Sequence, residues 1–111
     1  MARKDILPNL FYQVKKGTLV LKRALSSYEE PYCEIAQNEE SFKIKLTMPA
    51  VRKHAIQLRI IDGKKIEVSG FNTKKNYYKV VDIPPIVDFV RTKAILSKGT
   101  LKIVMPYTRA L

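Results

Sequence analysis

Cys33 and His54 are the only cysteine and the only histidine in this 111-residue sequence, and Asp62 and Asp88 are candidates for paired carboxylates in acid–base work. A thiolate next to an imidazole is a nucleophile with its base, provided the fold brings Cys33 and His54 together. A lone histidine excludes a two-histidine metal site and Cys–His zinc spacing. A lone cysteine excludes an intramolecular disulfide. The ordinary readings are a buried structural thiol and a surface-loop imidazole. Asp62 precedes Gly63 and belongs to a turn. Asp88 stands at the start of a loop, where carboxylates cap backbone N–H groups. Gly17, Gly63, Gly70 and Gly99 are too scattered to cradle a phosphate. The sequence therefore reads as a non-enzyme, with no catalytic residue, no metal and no cofactor.

Around these residues the chain alternates. Phe42, Ile44, Leu46 and Met48 interleave with Lys43, Lys45 and Thr47, which predicts a strand with one buried and one wet face, ended by Pro49. Ile56, Leu58 and Ile60 alternate with Gln57 and Arg59. Asp62-Gly63 then signals a hairpin, and Ile66 and Val68 return on the partner strand up to Gly70. Residues 71–76 are a short polar loop. Residues 77–83 form another strand, stopped by Pro84-Pro85, which have no N–H for a ladder. Residues 91–96 and 100–105 make a last hairpin around Ser97-Lys98-Gly99, and Pro106 ends it. Short strands with frequent turns predict an all-β, antiparallel β-sandwich of immunoglobulin-like type.

Charge is uneven. Lys and Arg total 21 against 10 Asp and Glu, a formal charge of +11. Residues 1–28 sum to +5, residues 29–40 to −5 and residues 41–111 to +11. The acidic band thus separates a basic N-terminal arm from a basic body. In the arm, Pro8 and Gly17 suit the ends of a short helix. Leu10, Phe11 and Val14 share a helical face, and Ile6 and Leu7 extend it. Residues 18–25, with Leu19, Val20 and Leu21, are ambiguous in type. No apolar run approaches the length of a membrane span, and the N-terminus lacks a secretory h-region, so a cytoplasmic protein without membrane contact is expected.

The segment Ala94-Ile-Leu-Ser-Lys-Gly-Thr-Leu101-Lys-Ile103 resembles the signature of the small heat-shock proteins, the α-crystallin family. Lys98 stands in the usual Asn place, Gly99 turns the hairpin, and Leu101 and Ile103 point inward. Ile83-Pro84 followed by Val87-Asp88, the strand ending at Pro49-Ala50, and the hairpin from Asp62 to Gly70 match further family segments in order. The resemblance covers residues 31–106. It implies an α-crystallin-type sandwich at 31–106; that leaves an arm at 1–30, part helical by the spacing above, and a short tail at 107–111. Three features depart from the family pattern. Residues 71–76 are too short for the arm that many members exchange between subunits, the Ile-x-Ile/Val tail motif is not found, and Lys79 stands where animal crystallins carry Arg.

What the resemblance implies is ATP-independent holding of unfolding client proteins during stress. Two surfaces could do this. One is the arm, through Ile6, Leu7, Leu10, Phe11, Val14, Leu19, Val20 and Leu21; the alternative for the arm is that it folds back over its own sheet edge. The other is a groove between the two strands carrying Ile56, Leu58 and Ile60 and Ala94 and Leu96; simple core packing is the alternative. Self-association is open, since the usual dimer lacks its arm. Two other functions stay open: a monomeric adaptor on a larger chaperone, like CS-domain proteins, and an RNA- or ribosome-associated protein. The paired sites Lys15-Lys16, Lys22-Arg23, Arg52-Lys53, Lys64-Lys65 and Lys74-Lys75 motivate the last, with solvated, solubilising lysines as the alternative.

Overall fold

Phe42, Ile44, Leu46 and Met48 are buried, and Lys43 and Lys45 between them are exposed, as a period of two demands. The structure, a computed structural model, describes residues 28–108 together with the backbone of Asp5 and Ile6. The expected helix at 8–17, the segment 18–25 and the arm residues Leu7, Leu10, Phe11, Val14, Leu19, Val20 and Leu21 lie outside the described residues.

Among the described residues, eight strands form two antiparallel sheets: β1 (Asp5–Ile6), β2 (Tyr32–Gln37), β3 (Ser41–Thr47), β4 (Ile56–Ile61), β5 (Lys65–Phe71), β6 (Asn76–Asp82), β7 (Lys93–Ser97) and β8 (Thr100–Pro106). The larger sheet has the order β1-β7-β8-β3-β2 and the smaller β4-β5-β6. One hydrophobic cluster fills the space between them, with Ile44, Leu46, Met48, Ile66, Leu101, Ile103 and Met105 fully buried. The all-β sandwich expected from the alternation is the observed fold.

Both expected hairpins are present. Asp62 and Gly63 have φ values of 50° and 67°, the positive pair that a tight hairpin turn requires. Lys98 and Gly99, at 49° and 76°, do the same between β7 and β8. The turn there is thus the two residues Lys98-Gly99, because Ser97 still pairs with Thr100. A lysine at positive φ is uncommon, since its Cβ crowds the following carbonyl; asparagine tolerates that conformation better. Ala50, also at positive φ, stands where the resemblance places glycine.

The acidic band at 29–40 is a structural part of the body rather than only a charge boundary. It holds β2, which pairs with β3 along its whole length. Glu29 donates its N–H to the Asn76 carbonyl and accepts from the Tyr78 N–H, adding a bridge to the outer edge of β6. Asn38 turns the chain into β3, its Oδ1 accepting from the N–H groups of Glu40 and Ser41. The alternation rule missed β2 because both its faces are largely exposed and carry no clean apolar–polar contrast. The last hairpin also differs at its start. Phe89–Arg91 is a 3-10 turn, so β7 begins at Lys93 rather than at residue 91.

Candidate functional site

The two edges of the larger sheet differ sharply. On β7, the backbone of Asp5 pairs with Leu96 and that of Ile6 with Ile95. The outer edge of β7 therefore already carries a short strand from the same chain, and Ile6 is one of its two residues. On β2 no further strand is paired among the described residues. Tyr32 and Ile35 are exposed there, at 66% and 50%. An edge strand of this kind is open to added backbone pairing.

Of the five residues expected to line a groove, Leu58, Ala94 and Leu96 are buried in the core, and Ile56 and Ile60 are partly buried against it. Beside them an open pocket of about 410 Å³ is lined by Val51, Arg52, Lys53, His54, Leu96, Lys98 and Gly99. Its wall is basic, and His54 and the Arg52-Lys53 pair belong to it. Sequence reasoning missed this grouping because the segments 51–54 and 96–99 meet only through the packing of the 3-10 turn Lys53–Ala55 beside the β7–β8 hairpin. Of the other loop pairs, Lys65 bonds Asp82 at 2.7 Å and Lys75 lies 3.4 Å from Glu29.

The candidate catalytic groups stay apart. Cys33 lies on β2, at one side of the larger sheet, whereas His54 shares its pocket with the end of β7, across β3 and β8. Burial pushes the Cys33 thiol pKa up; the Lys79 charge opposes this, and Glu30 and Glu34 reinforce it. A thiol so held stays protonated, which is the wrong state for a nucleophile. Asp62 belongs to its turn. The Asp88 carboxylate accepts from the Val90 N–H at 3.0 Å and from Arg91 Nε at 2.9 Å, capping the 3-10 turn. The Arg91 bond, with smaller backbone contributions, holds Asp88 below the usual carboxylate range. Among the described residues no group of three His, Cys, Asp or Glu side chains is placed to hold a metal ion. No helix among them is long and apolar enough to cross a membrane.

The outer face of the smaller sheet carries a polar chain. Arg59 and Glu67 are directly opposed, with Nε 2.9 Å from the carboxylate, and the Tyr78 hydroxyl donates to the other oxygen of Glu67. The Tyr28 ring lies against Tyr78, centroids 5.2 Å apart. Burial first, then the bond to Glu67 and its charge, pushes the Tyr78 pKa up to about 12. An unfolded tyrosine ionises near 10. The stability tied to this hydroxyl is therefore intact below pH ~10 and lost as pH rises from about 10 to about 12. In urea titrations across that range, Tyr78→Phe is expected to flatten the decline. An equally steep decline in the variant would place the titration elsewhere.

No family model and no curated protein matches the sequence. Solved structures do match the fold. Heat shock protein 16.0 from Schizosaccharomyces pombe aligns with a TM-score of 0.66 at 17% identity, covering 80% of this chain and 74% of that one. A small heat-shock protein from Xylella fastidiosa aligns at 0.64 and 16% identity, over 73% and 88% of the two chains. The chain has the small heat-shock protein fold. HspA from Xanthomonas axonopodis aligns at 0.67 and 15% identity, with 78% of this chain and all of that one covered. In the small heat-shock protein sandwich seen here, β5 passes to β6 through the turn 72–75. Asn72 Oδ1 accepts from the N–H groups of Lys74 and Lys75, and its Nδ2 donates to the Pro49 carbonyl at 2.8 Å. That connection holds no strand that could be exchanged with a partner.

Proposed function

We propose that this protein is an ATP-independent holdase that binds unfolding proteins through exposed apolar surface. The observation carrying the proposal is the fold shared with small heat-shock proteins from several organisms. The open β2 edge, with Tyr32 and Ile35 exposed, supports it. A holdase must offer apolar contact that competes with a client's own collapse, without hiding it in its core. The arm supplies Leu7, Leu10, Phe11, Val14, Leu19, Val20 and Leu21 for this, and the basic pocket beside Leu96 adds attraction for acidic client segments.

The experiment is suppression of heat-induced light scattering of a test enzyme, without nucleotide, by the full chain and by L10S/F11S/V14S. The full chain is expected to suppress scattering near equimolar ratio, and the triple variant to lose most of that effect. Full suppression by the variant would remove the arm from the mechanism. A chain that suppresses nothing, while binding one folded chaperone as a monomer, would favour an adaptor. The short 72–75 turn, which leaves no exchange strand, gives that second reading its one structural support.

A further inference from the structure

The larger sheet turns a second face outward, away from the core. Because Phe42, Ile44 and Leu46 point inward from β3, Lys43, Lys45 and Thr47 point out. On β8 the outward residues are Thr100, Lys102 and Val104; on β7 they are Lys93, Ile95 and Ser97; on β2 they are Tyr32, Glu34 and Ala36. The register sets Lys45 directly opposite Lys102, and Lys43 opposite Val104, which in turn faces Lys93. Four exposed lysines thus share one face of adjacent strands. Neighbours across strands stand about 5 Å apart, and Lys43 and Lys45 about 7 Å apart along β3.

Among the described residues, one acid answers them. Glu34 lies 3.9 Å from Lys45, with both side chains half exposed. Among the described residues, Lys43, Lys93 and Lys102 have no carboxylate partner. By contrast, Arg59, Lys65, Lys75, Lys79 and Arg91 each have one within 4 Å. Like charges placed directly opposite on a sheet destabilise it. Lysines that guard against aggregation belong on edge strands. These sit chiefly on β3 and β8, which are paired on both sides. The sheet therefore bears a repulsion that its own structure does not use, and an ordered row of negative charge would relieve it.

We propose that this face, Lys43, Lys45, Lys93 and Lys102, binds the phosphate chain of a single-stranded nucleic acid. Tyr32 lies on the same face, at its corner beside Thr47; its hydroxyl donates to Glu34 at 3.0 Å, and with 66% of the residue exposed it offers ring surface for a base to stack on. A basic surface plus an aromatic platform is the pattern of sequence-tolerant single-strand binding. A face of exposed lysines with one exposed aromatic, and with Ile95 and Val104 only partly exposed, suits a flexible strand better than a duplex groove or a bilayer. The four lysines of this site lie outside the arm and the apolar edge on which the chaperone reading rests; Tyr32 is common to both.

The test is fluorescence anisotropy of a labelled 12-nucleotide oligouridylate against the full chain, between about 50 and 200 mM salt. Each phosphate engaged contributes about −0.7 to the slope of log affinity against log salt, so four lysines give about −3. K45Q/K102Q is expected to bind at least about tenfold more weakly, with the slope reduced by about 1.4. It should melt close to the wild type, because removing the Lys45–Lys102 repulsion offsets the loss of the half-exposed Lys45–Glu34 pair. K64Q/K74Q, which changes two lysines outside this face, should bind as the wild type does. Equal losses in the two variants, no loss in K45Q/K102Q, or capture on phosphatidylserine vesicles without RNA binding would each overturn the proposal.

Discussion

Leu101→Ala is expected to remove about 2–5 kcal/mol of folding stability, read as a fall in the urea midpoint at unchanged slope. Leu101 is fully buried in the middle of the larger sheet. It faces Leu46 across β3 and Leu96 across β7, so one truncation opens a void against both neighbours. Those neighbours are held by paired backbone on each side and collapse only partly into the gap, which adds a cavity cost to the lost burial. A domain of this size has about 5–15 kcal/mol in total. Its Tm should fall by about 4–8 °C for each kcal/mol removed. A loss under about 1 kcal/mol would mean that this row does not form the centre of the core.

Gly99→Val is expected to cost about 1–3 kcal/mol, for two separate reasons. Gly99 has φ +76°, a conformation that side chains with a Cβ adopt only with strain. A Cβ there would also stand 3.2 Å from the Pro49 Cα, which is backbone and cannot swing aside. The Met48 N–H donates to the Gly99 carbonyl at 2.7 Å, so the turn and the end of β3 are tied together and neither can retreat alone. Gly63 separates the two effects. It has φ +67° but nothing within 4 Å of an added Cβ, so Gly63→Val should show the strain without the clash. Equal losses at the two glycines, measured by thermal or urea unfolding, would show that the approach of Pro49 has no energetic weight.

The parts of the fold that were legible in the sequence are those where one physical demand dominates. The run from Phe42 to Met48 shows one buried and one wet face, so alternation alone locates β3. Asp62-Gly63 admits the positive φ pair of a tight turn and so joins β4 to β5. Leu101 and Ile103 are buried and Gly99 makes the turn before them, the arrangement that the resemblance implied. β2 was not legible, because Cys33 and Ile35 are set against a sheet edge that leaves both faces wet. Its existence depends on pairing with β3, which is a tertiary fact. The lysine face was half legible. Lys43 and Lys45 read as a wet face, but their meeting with Lys93 and Lys102 is a matter of register between distant segments. The basic pocket was hidden for the same reason, since its two walls are remote in sequence. Leu58, Ala94 and Leu96 show the converse ambiguity. Their pattern suits a groove wall or a core equally, and their side chains are buried in the core.

The most direct measurement of the chaperone account is client capture in solution. An aggregation-prone enzyme is heated with the full chain in the absence of nucleotide, cooled, and separated by size-exclusion chromatography with light scattering to give the mass of each peak. The account predicts a soluble complex in which enzyme and chain elute together at a mass above either alone. Precipitated enzyme, with the chain eluting alone at its unheated mass, would contradict it.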